Sequence, residues 1–262
     1  MSGPLLSLAL GTAVLSGVMA AVWVTAVRIR NAGTVDVAWS LNFSLLALLY
    51  ATLGKGYVPR RLLIAGMVVL WSLRLSGHLY ARVMGEHPVE DGRYRQLRQE
   101  WGPDPDARFF WFFELQAVLN VALSVPILVS CSNATPWIRP LEWAGVGLWA
   151  VALVGEAAAD RQLERFRRDA ANRGRTCQVG LWRYSRHPNY FFEWLGWVAY
   201  FAFASASPWG WATVYCPLLM LCFLLRVTGI PATEAQALRS RGEEYRQYQR
   251  TTSAFVPWFR KG

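Results

Sequence analysis

The feature that most constrains the fold is a run of 24 residues, Pro4 to Val27, that contains no charged side chain. A helix of this length extends about 36 Å and exceeds the hydrocarbon core of a bilayer, which is about 30 Å thick. Arg28 and Arg30 follow the run, and no basic residue precedes it, so the charge pattern is not that of a signal peptide. The run predicts a first transmembrane helix whose C-terminus faces the cytoplasm.

Further apolar blocks recur along the chain, in which 54% of residues are hydrophobic. The sequence predicts an all-α polytopic membrane protein, a single integral-membrane domain over residues 1–262. We expect seven transmembrane helices, with the N-terminus outside and the C-terminus in the cytoplasm. The predicted spans are 4–27, 35–53, 62–81, 109–131, 141–160, 190–205 and 209–225.

The distribution of basic residues supports this topology. Of the 27 Lys and Arg residues, 22 lie in segments assigned to the cytoplasm, as the positive-inside rule requires. Arg74 falls within a span. The outside loops contain four basic residues, namely Lys55, Arg60, Arg61 and Arg139.

Several function classes are not supported by the sequence. The net charge of +10 follows from the topology, and the chain contains no nucleic-acid-binding motif. It has no Walker loop and no glycine-rich dinucleotide fingerprint after a strand. The three histidines do not form a pair, and the cysteines lack zinc-ligand spacing, so the sequence predicts no metal site. These cysteines are Cys131, Cys177, Cys216 and Cys222.

The stretch from Gly180 to Glu193 is the densest in polar and aromatic side chains, and it directly precedes an apolar run. Pro188 predicts that a helix starts there, which places Asn189 and Glu193 on one helical face. A helix N-terminus favours an anion, so the stretch is suited to a phosphate-bearing cofactor. The alternative is a basic loop that merely ends a membrane helix. The basic loop residues are Arg183, Arg186 and His187.

Polar residues also interrupt the apolar blocks. Asp36, Trp39 and Asn42 recur at helical spacing and share a face. Asp36 lies near the cytoplasmic end of its block, so a simple interfacial Asp is an alternative. Arg74 lies two turns inside the third block and requires an acidic or ligand partner there. These residues predict a polar cavity within the bundle.

Two further segments contain candidate binding residues. The fifth helix is expected to continue past the membrane as far as Arg167, with Glu156 and Asp160 on the same face as that arginine. Residues 83–108 are predicted to form a polar loop, whose core runs from Glu90 to Tyr94. The alternative for this loop is a solvated cytoplasmic helix.

Taken together, these motifs resemble the bacterial branch of the steroid 5α-reductase family. The Arg186-His187-Pro188-x-Tyr190 stretch is also similar to the isoprenylcysteine carboxyl methyltransferases, which bind S-adenosylmethionine. The loop at 90–94 and the C-terminal end favour the reductases. The matching features are Asp36-Val-Ala-Trp39, Arg74 with His78 to Arg82, Glu90-Asp91-Gly-Arg93-Tyr94, Gly180 to Glu193, and Thr252 to Phe259.

The resemblance implies an enzyme that uses NADPH to reduce the Δ4 carbon–carbon double bond of a 3-oxo-steroid or a similar lipophilic enone. It implies a hydroxyl donor at the enone carbonyl, for which we select Tyr80, oriented by Asn42 or Asp36. The implied cofactor-binding residues are Trp39, Arg74, Arg82, Arg93, Tyr94, Asp160, Arg167, Arg183, Tyr184, His187, Asn189, Glu193 and Arg226.

The chain departs from the family pattern at three positions. The family's second-helix Glu has no clean match, and Asn42 or Asp36 is the nearest polar residue. The family's third-helix Tyr corresponds to Tyr80 in one alignment and to Trp71 in another. Glu156 replaces an amide-type cofactor contact.

Two other functions remain alternatives, a membrane methyltransferase that uses S-adenosylmethionine and a lipid- or sterol-binding membrane protein without catalytic activity. The expected partners are a steroid-like enone and the lipid bilayer, with no nucleic acid, and the expected state is a monomer. The expected location is the bacterial inner membrane, or the endoplasmic reticulum in a eukaryote. The role would lie in lipid or steroid metabolism.

Overall fold

A computed structural model describes residues 3–85 and 87–260 of the chain. Helix makes up 79% of it, and the described residues form no strand, which confirms the predicted all-α class. The chain divides into two compact units. Unit 1 comprises Met1–Arg139 with Ala206–Gly210, and unit 2 comprises Pro140–Ser205 with Trp211–Gly262.

In unit 1, α1 packs against α2 and α5, and α2 packs against α3. The close approach of α1 to α2 depends on Gly11, where an added Cβ would lie 2.8 Å from Leu46 Cδ2. Small residues at such contacts let membrane helices pack closely. The helices of unit 1 are α1 Gly3–Ile29, α2 Thr34–Leu53, α3 Val58–Gly85, α4 Gly92–Glu100, α5 Pro105–Leu123 and α6 Val125–Ser132.

The third block begins one turn earlier than predicted, because α3 starts at Val58. Arg60 therefore belongs to the first turn of α3 rather than to an outside loop. Its guanidinium is fully buried and donates to the carbonyl oxygens of Asn133 and Thr135, at 2.9 and 2.8 Å. These bonds compensate the buried charge and fix the turn that follows α6.

The fourth block, predicted as a span over 109–131, forms one helical segment that is long enough to cross, Pro105–Ser132, with a one-residue turn at Ser124 between α5 and α6. Pro126 has no backbone N–H, so it cannot continue the hydrogen-bond ladder of α5. The Ser124 hydroxyl donates to the Val121 carbonyl at 2.8 Å and lies 3.0 Å from the Tyr50 hydroxyl. Side chains of unit 1 therefore form hydrogen bonds at the turn between α5 and α6.

The predicted polar loop at 83–108 contains α4, so the alternative of a helix describes this segment better. Asp91 caps α4, since its side chain accepts a hydrogen bond from the Arg93 backbone N–H at 2.9 Å.

In unit 2, α7 runs without interruption to Arg168, which confirms the predicted continuation beyond residue 160. It packs antiparallel to α8. Phe192 of α8 lies against Gly155, and Phe203 lies against Gly145. The helices of unit 2 are α7 Pro140–Arg168, α8 Pro188–Ser205, α9 Tyr215–Cys222, α10 Ile230–Arg241 and α11 Glu243–Thr251.

The last apolar block is less regular than predicted. Instead of one α-helix over 209–225, it forms a 3₁₀ turn at Gly210–Val214, then α9, then a π-helical turn at Phe223–Val227. Pro217 is tolerated because it lies in the first turn of α9. The π turn contains Arg226, and such turns occur often at functional sites. The polar tail that follows this block forms α10 and α11.

Six helical segments of the described chain are long and apolar enough to cross a membrane, as expected of a multi-pass membrane protein. The helix α8 is not among them, although its 18 residues extend about 27 Å and pack along α7. The six segments are Gly3–Ile29, Thr34–Leu53, Val58–Gly85, Pro105–Ser132, Pro140–Arg168 and Gly210–Arg241.

Candidate functional site

The loop that precedes α8 is held against α7 by side-chain hydrogen bonds. Trp182 Nε1 donates to the Ala159 carbonyl at 2.9 Å, and Gln162 Oε1 accepts from the Leu181 N–H at 2.8 Å. Gly180 permits this approach, because it has a positive φ of 56° and an added Cβ would lie 2.5 Å from Gln162 Oε1. The loop therefore has a fixed position at the start of α8.

The C-terminal tail holds the other side of this loop. The Ser185 hydroxyl donates to the Phe255 carbonyl, and the Arg186 N–H donates to the Ser253 carbonyl, both at 2.8 Å. The Tyr248 hydroxyl of α11 donates to the Ser185 carbonyl at 3.2 Å. Sequence alone could not pair these segments, which are more than 60 residues apart.

A buried charge cluster centres on Glu234 of α10. Its carboxylate accepts from Arg186 Nε at 2.7 Å and Gln249 Nε2 at 2.8 Å, and its Oε1 lies 3.2 Å from His187 Nε2. Burial lowers the pKa of His187, and the hydrogen bond to Glu234 opposes this shift only in part. The His187 ring also stacks on Tyr190 at 5.3 Å. Arg186 and His187 are thus engaged within unit 2, and a cofactor role for His187 stays a prediction.

Two of the predicted cofactor-binding residues meet at the start of α8. Asn189 Nδ2 donates to Asp160 Oδ1 at 3.2 Å, and the Asp160 side chain is buried. Asn189 Oδ1 is also shielded from solvent, yet it has no hydrogen-bond partner. An unpaired buried acceptor costs about 1–3 kcal/mol, so this oxygen is suited to a donor supplied by a ligand.

The other predicted cofactor-binding residues of unit 2 have varied positions. Glu193 lies one turn after Asn189 on α8, where it is half-buried. Four residues are exposed, namely Arg167 on α7, Arg183 and Tyr184 before α8, and Arg226 in the π turn. Arg183 and Tyr184 are near the first turn of α8, within the basic loop.

In unit 1, four predicted site residues form one polar cluster around Asp36. Its Oδ1 accepts from Arg93 Nη2 at 2.9 Å and from the Tyr94 hydroxyl at 2.6 Å, and its Oδ2 lies 3.6 Å from Arg82 Nη2. Burial and the Asp36 carboxylate raise the pKa of Tyr94, which keeps its hydroxyl a donor. This cluster attaches α4 to the first turn of α2.

Asn42 belongs to a separate amide network in unit 1. Its Nδ2 donates to Asn120 Oδ1 at 3.0 Å, and Asn120 Nδ2 donates to the Trp39 carbonyl at 3.1 Å. Asn42 Oδ1 is fully buried without a hydrogen-bond partner. An amide at position 120, inside an apolar block, is the sequence feature that marks this partner.

Tyr80 is on α3 with 57% of its surface exposed. None of the hydrogen bonds among the described residues joins it to Asn42 or Asp36, so the expected orienting contact is not found. Trp71, the alternative residue, is buried against Phe43 with ring centroids 5.6 Å apart. Arg74 is half-buried on the same helix. Within the described ranges, no group of residues suits a metal ion.

Sequence reasoning missed a second ion-pair cluster in unit 1. Glu90 is buried and accepts from the Ala32 N–H at 2.8 Å, while its carboxylate lies 3.1 Å from Arg98 Nη2. Arg98 also contacts Asp106 at 3.2 Å. A dense run of opposite charges at 90–106 was the available sequence feature, but it does not specify which charges pair.

The apolar helices and buried polar networks are those expected of a multi-pass helical membrane protein. The chain belongs to the DUF1295 family, a family of proteins of unknown function, which it matches over residues 22–252. It is similar to an uncharacterized protein of Schizosaccharomyces pombe, with 28% identity over 90% of this chain and 75% of that protein. No solved structure matches the chain.

Proposed function

We propose that the protein is an NADPH-dependent reductase of the carbon–carbon double bond in a lipophilic enone, such as a 3-oxo-Δ4-steroid. The observation that supports cofactor binding is the Asp160–Asn189 pair, in which Asn189 Oδ1 is a buried acceptor without a partner. The pair stands at the first turn of α8, next to the basic loop. The resemblance of the motifs supplies the reaction type.

The residues at this place fit the chemistry of a nicotinamide dinucleotide. Asn189 Oδ1 can accept from a carboxamide nitrogen or a ribose hydroxyl, and the Asp160 carboxylate holds the Asn189 side chain in place through its Nδ2. The α8 N-terminus and the exposed Arg183 favour phosphate groups. Arg226, also exposed, provides a second cation for them. Glu193 lies one turn along α8, on the same face as Asn189.

NADPH, when bound, supplies the hydride for such a reduction. The chain's own task is to stabilise the negative charge that develops on the enone oxygen, which we assign to the Tyr80 hydroxyl. Trp39 is proposed to contact the lipophilic substrate. Asn42 Oδ1 remains available to a donor within unit 1.

We further propose seven spans, with α8 as the sixth, the N-terminus outside and the C-terminus in the cytoplasm. The antiparallel packing of α8 along α7 supports this assignment, since α7 is itself long and apolar enough to cross. The proposed location is the bacterial inner membrane, and the proposed state is a monomer. NADPH is a cytoplasmic cofactor, and in this topology the loop before α8 faces the cytoplasm.

The test is the thermal midpoint of the detergent-solubilised protein with NADPH, NADH or S-adenosylmethionine. A ligand at 100 times its Kd adds about 2.7 kcal/mol to the free energy of unfolding, so NADPH should raise the midpoint by several degrees. Asn189→Ala should abolish most of this shift, whereas Gln247→Ala, at an exposed position on α11, should retain it. A shift with S-adenosylmethionine and none with NADPH would favour the methyltransferase instead.

A further inference from the structure

The C-terminal tail and the loop before α8 together expose a set of apolar side chains outside the predicted spans, which we call the tail patch. Exposed fractions range from 39% for Tyr184 to 77% for Phe259. Solvent exposure of several large apolar residues in one place marks an interaction surface. The patch comprises Val179, Tyr184, Val256, Trp258 and Phe259.

The patch is held in place by its own contacts. The Trp258 N–H donates to the Tyr184 carbonyl at 2.9 Å, and the Phe259 ring packs edge-on against the Tyr184 ring at 6.3 Å. Arg260 Nη2 donates to Gln178 Oε1. These contacts tie the end of the tail to the loop, so the aromatic rings are presented in a defined position.

The contacts of the neighbouring residue Phe255 show where the patch lies along the axis of α8. Its buried ring lies 5.7 Å from the Phe191 ring and 5.8 Å from the Trp194 ring, which belong to the first two turns of α8. Asn189, at the start of α8, contacts Asp160 of α7. Asp160 is 20 residues beyond Pro140, or about 30 Å along α7, which equals one hydrocarbon thickness. If α7 spans the bilayer, the patch therefore lies at a membrane surface.

The charges beside the patch indicate which surface chemistry it fits. Arg183 and Arg260 are exposed next to the aromatic rings. Trp and Tyr side chains are enriched at the headgroup level of membranes, and basic side chains near the surface attract anionic lipids. We propose that the tail patch inserts into the headgroup layer at that end of α7 and α8, where Arg260 binds anionic phospholipid headgroups.

The proposal rests on α7 and α8 spanning the bilayer, which is part of the proposed function, but it does not depend on NADPH or on catalysis. It is tested by a spin label at the patch. Phe259→Cys places the label on the most exposed patch residue, and Gln247→Cys is the control on the exposed face of α11. Both are made with Cys222→Ser, because the other three cysteines are buried. Thermal midpoints of the variants check folding.

Collision rates with oxygen and with a water-soluble nickel chelate are measured in detergent, in zwitterionic nanodiscs and in nanodiscs that contain anionic phospholipid. In nanodiscs, we expect the label at 259 to lose most of its collisions with the nickel chelate, while the label at 247 keeps them. Anionic lipid should strengthen this protection. Arg260→Gln should weaken the anionic-lipid effect by about fivefold, the equivalent of about 1 kcal/mol per basic residue.

Two results would overturn the proposal. Equal access of the nickel chelate to positions 259 and 247 in nanodiscs would show that the patch stays in water. Low collision rates of the label at 259 with both oxygen and the nickel chelate in nanodiscs would show that protein covers it, either a second copy or another part of this chain, because oxygen dissolves in lipid and collides readily with a lipid-exposed label. Neither result bears on whether NADPH binds, so failure of this proposal is distinguishable from failure of the reductase assignment.

Discussion

At the scale of single residues, Glu234 is the side chain on which the loop before α8 most depends. It receives hydrogen bonds from Arg186 and Gln249 and contacts His187 in a largely buried cluster. Removing one partner of a buried ion pair leaves the other charge uncompensated, which costs about 3–5 kcal/mol. We therefore expect Glu234→Gln to lower the thermal midpoint of the detergent-solubilised protein by many degrees.

Glu243→Gln is the matched control for this variant. Glu243 forms ion pairs with Arg246 and Arg250 at 3.3 and 3.5 Å, but all three side chains are mostly exposed. Exposed pairs contribute about 0–1 kcal/mol, so this midpoint should barely change. Equal midpoints for the two variants would mean that the Glu234 cluster is dispensable for stability.

The sequence identified polar residues better than it identified their partners. Asp160 and Asn189 were both predicted to bind a cofactor, and the structure places them in contact. Asn42 or Asp36 was predicted to orient Tyr80, and the structure joins Asp36 to Arg93 and Tyr94. The sequence does not indicate which basic or polar side chain a carboxylate will contact. Contacts between residues about 60 positions apart depend on how the helices pack.

At the scale of helices, two glycines of α7 have different surroundings, and only one of them lies against α8. At Gly155 an added Cβ would lie 2.4 Å from the Phe192 ring, while at Gly147 it would meet no atom within 4 Å. Gly155→Ala should therefore force the two helices apart, which costs about 1–3 kcal/mol. Gly147→Ala should stabilise the same helix by up to about 1 kcal/mol, because alanine is the better helix former.

The measurement is the thermal midpoint of the two variants, for which we expect changes of opposite sign. Both substitutions add one methyl group to α7, so helix propensity alone would move the two midpoints in the same direction. A stabilised Gly155→Ala variant would contradict the close packing of Phe192 on α7.

The bounds of a helix could be predicted where an uninterrupted apolar run sets its length. They were harder to predict where a proline lies inside the run. The uncharged run at 4–27 specified α1 to within two residues at each end. Pro126 and Pro217 both fall inside predicted spans, and both lie in the first turn of a new helix. A proline restricts the backbone at either a kink or a helix start, and hydropathy does not distinguish the two.

At the scale of the whole molecule, α8 decides the topology. Six segments are apolar enough to cross on composition alone, which would place both termini on the same side of the membrane. Asn189, Glu193 and the Trp and Tyr residues of α8 lower its hydropathy, yet the helix packs along α7. The face of α8 that packs on α7 does not contact lipid, so it does not have to be apolar. A helix of lower hydropathy can therefore still cross the membrane.

The final prediction is that the two ends of α8 lie on opposite sides of the membrane. Arg173 lies before α8 and Pro208 after it, and both are exposed. With Cys222→Ser as background, a membrane-impermeant maleimide added to intact cells should label Pro208→Cys and leave Arg173→Cys unlabelled until the cells are permeabilised. Lys55→Cys should behave like Pro208→Cys, because its loop follows an even number of spans from an outside N-terminus. Labelling of Arg173→Cys and Pro208→Cys from the same side would mean that α8 does not cross, and the seven-span topology would then be wrong.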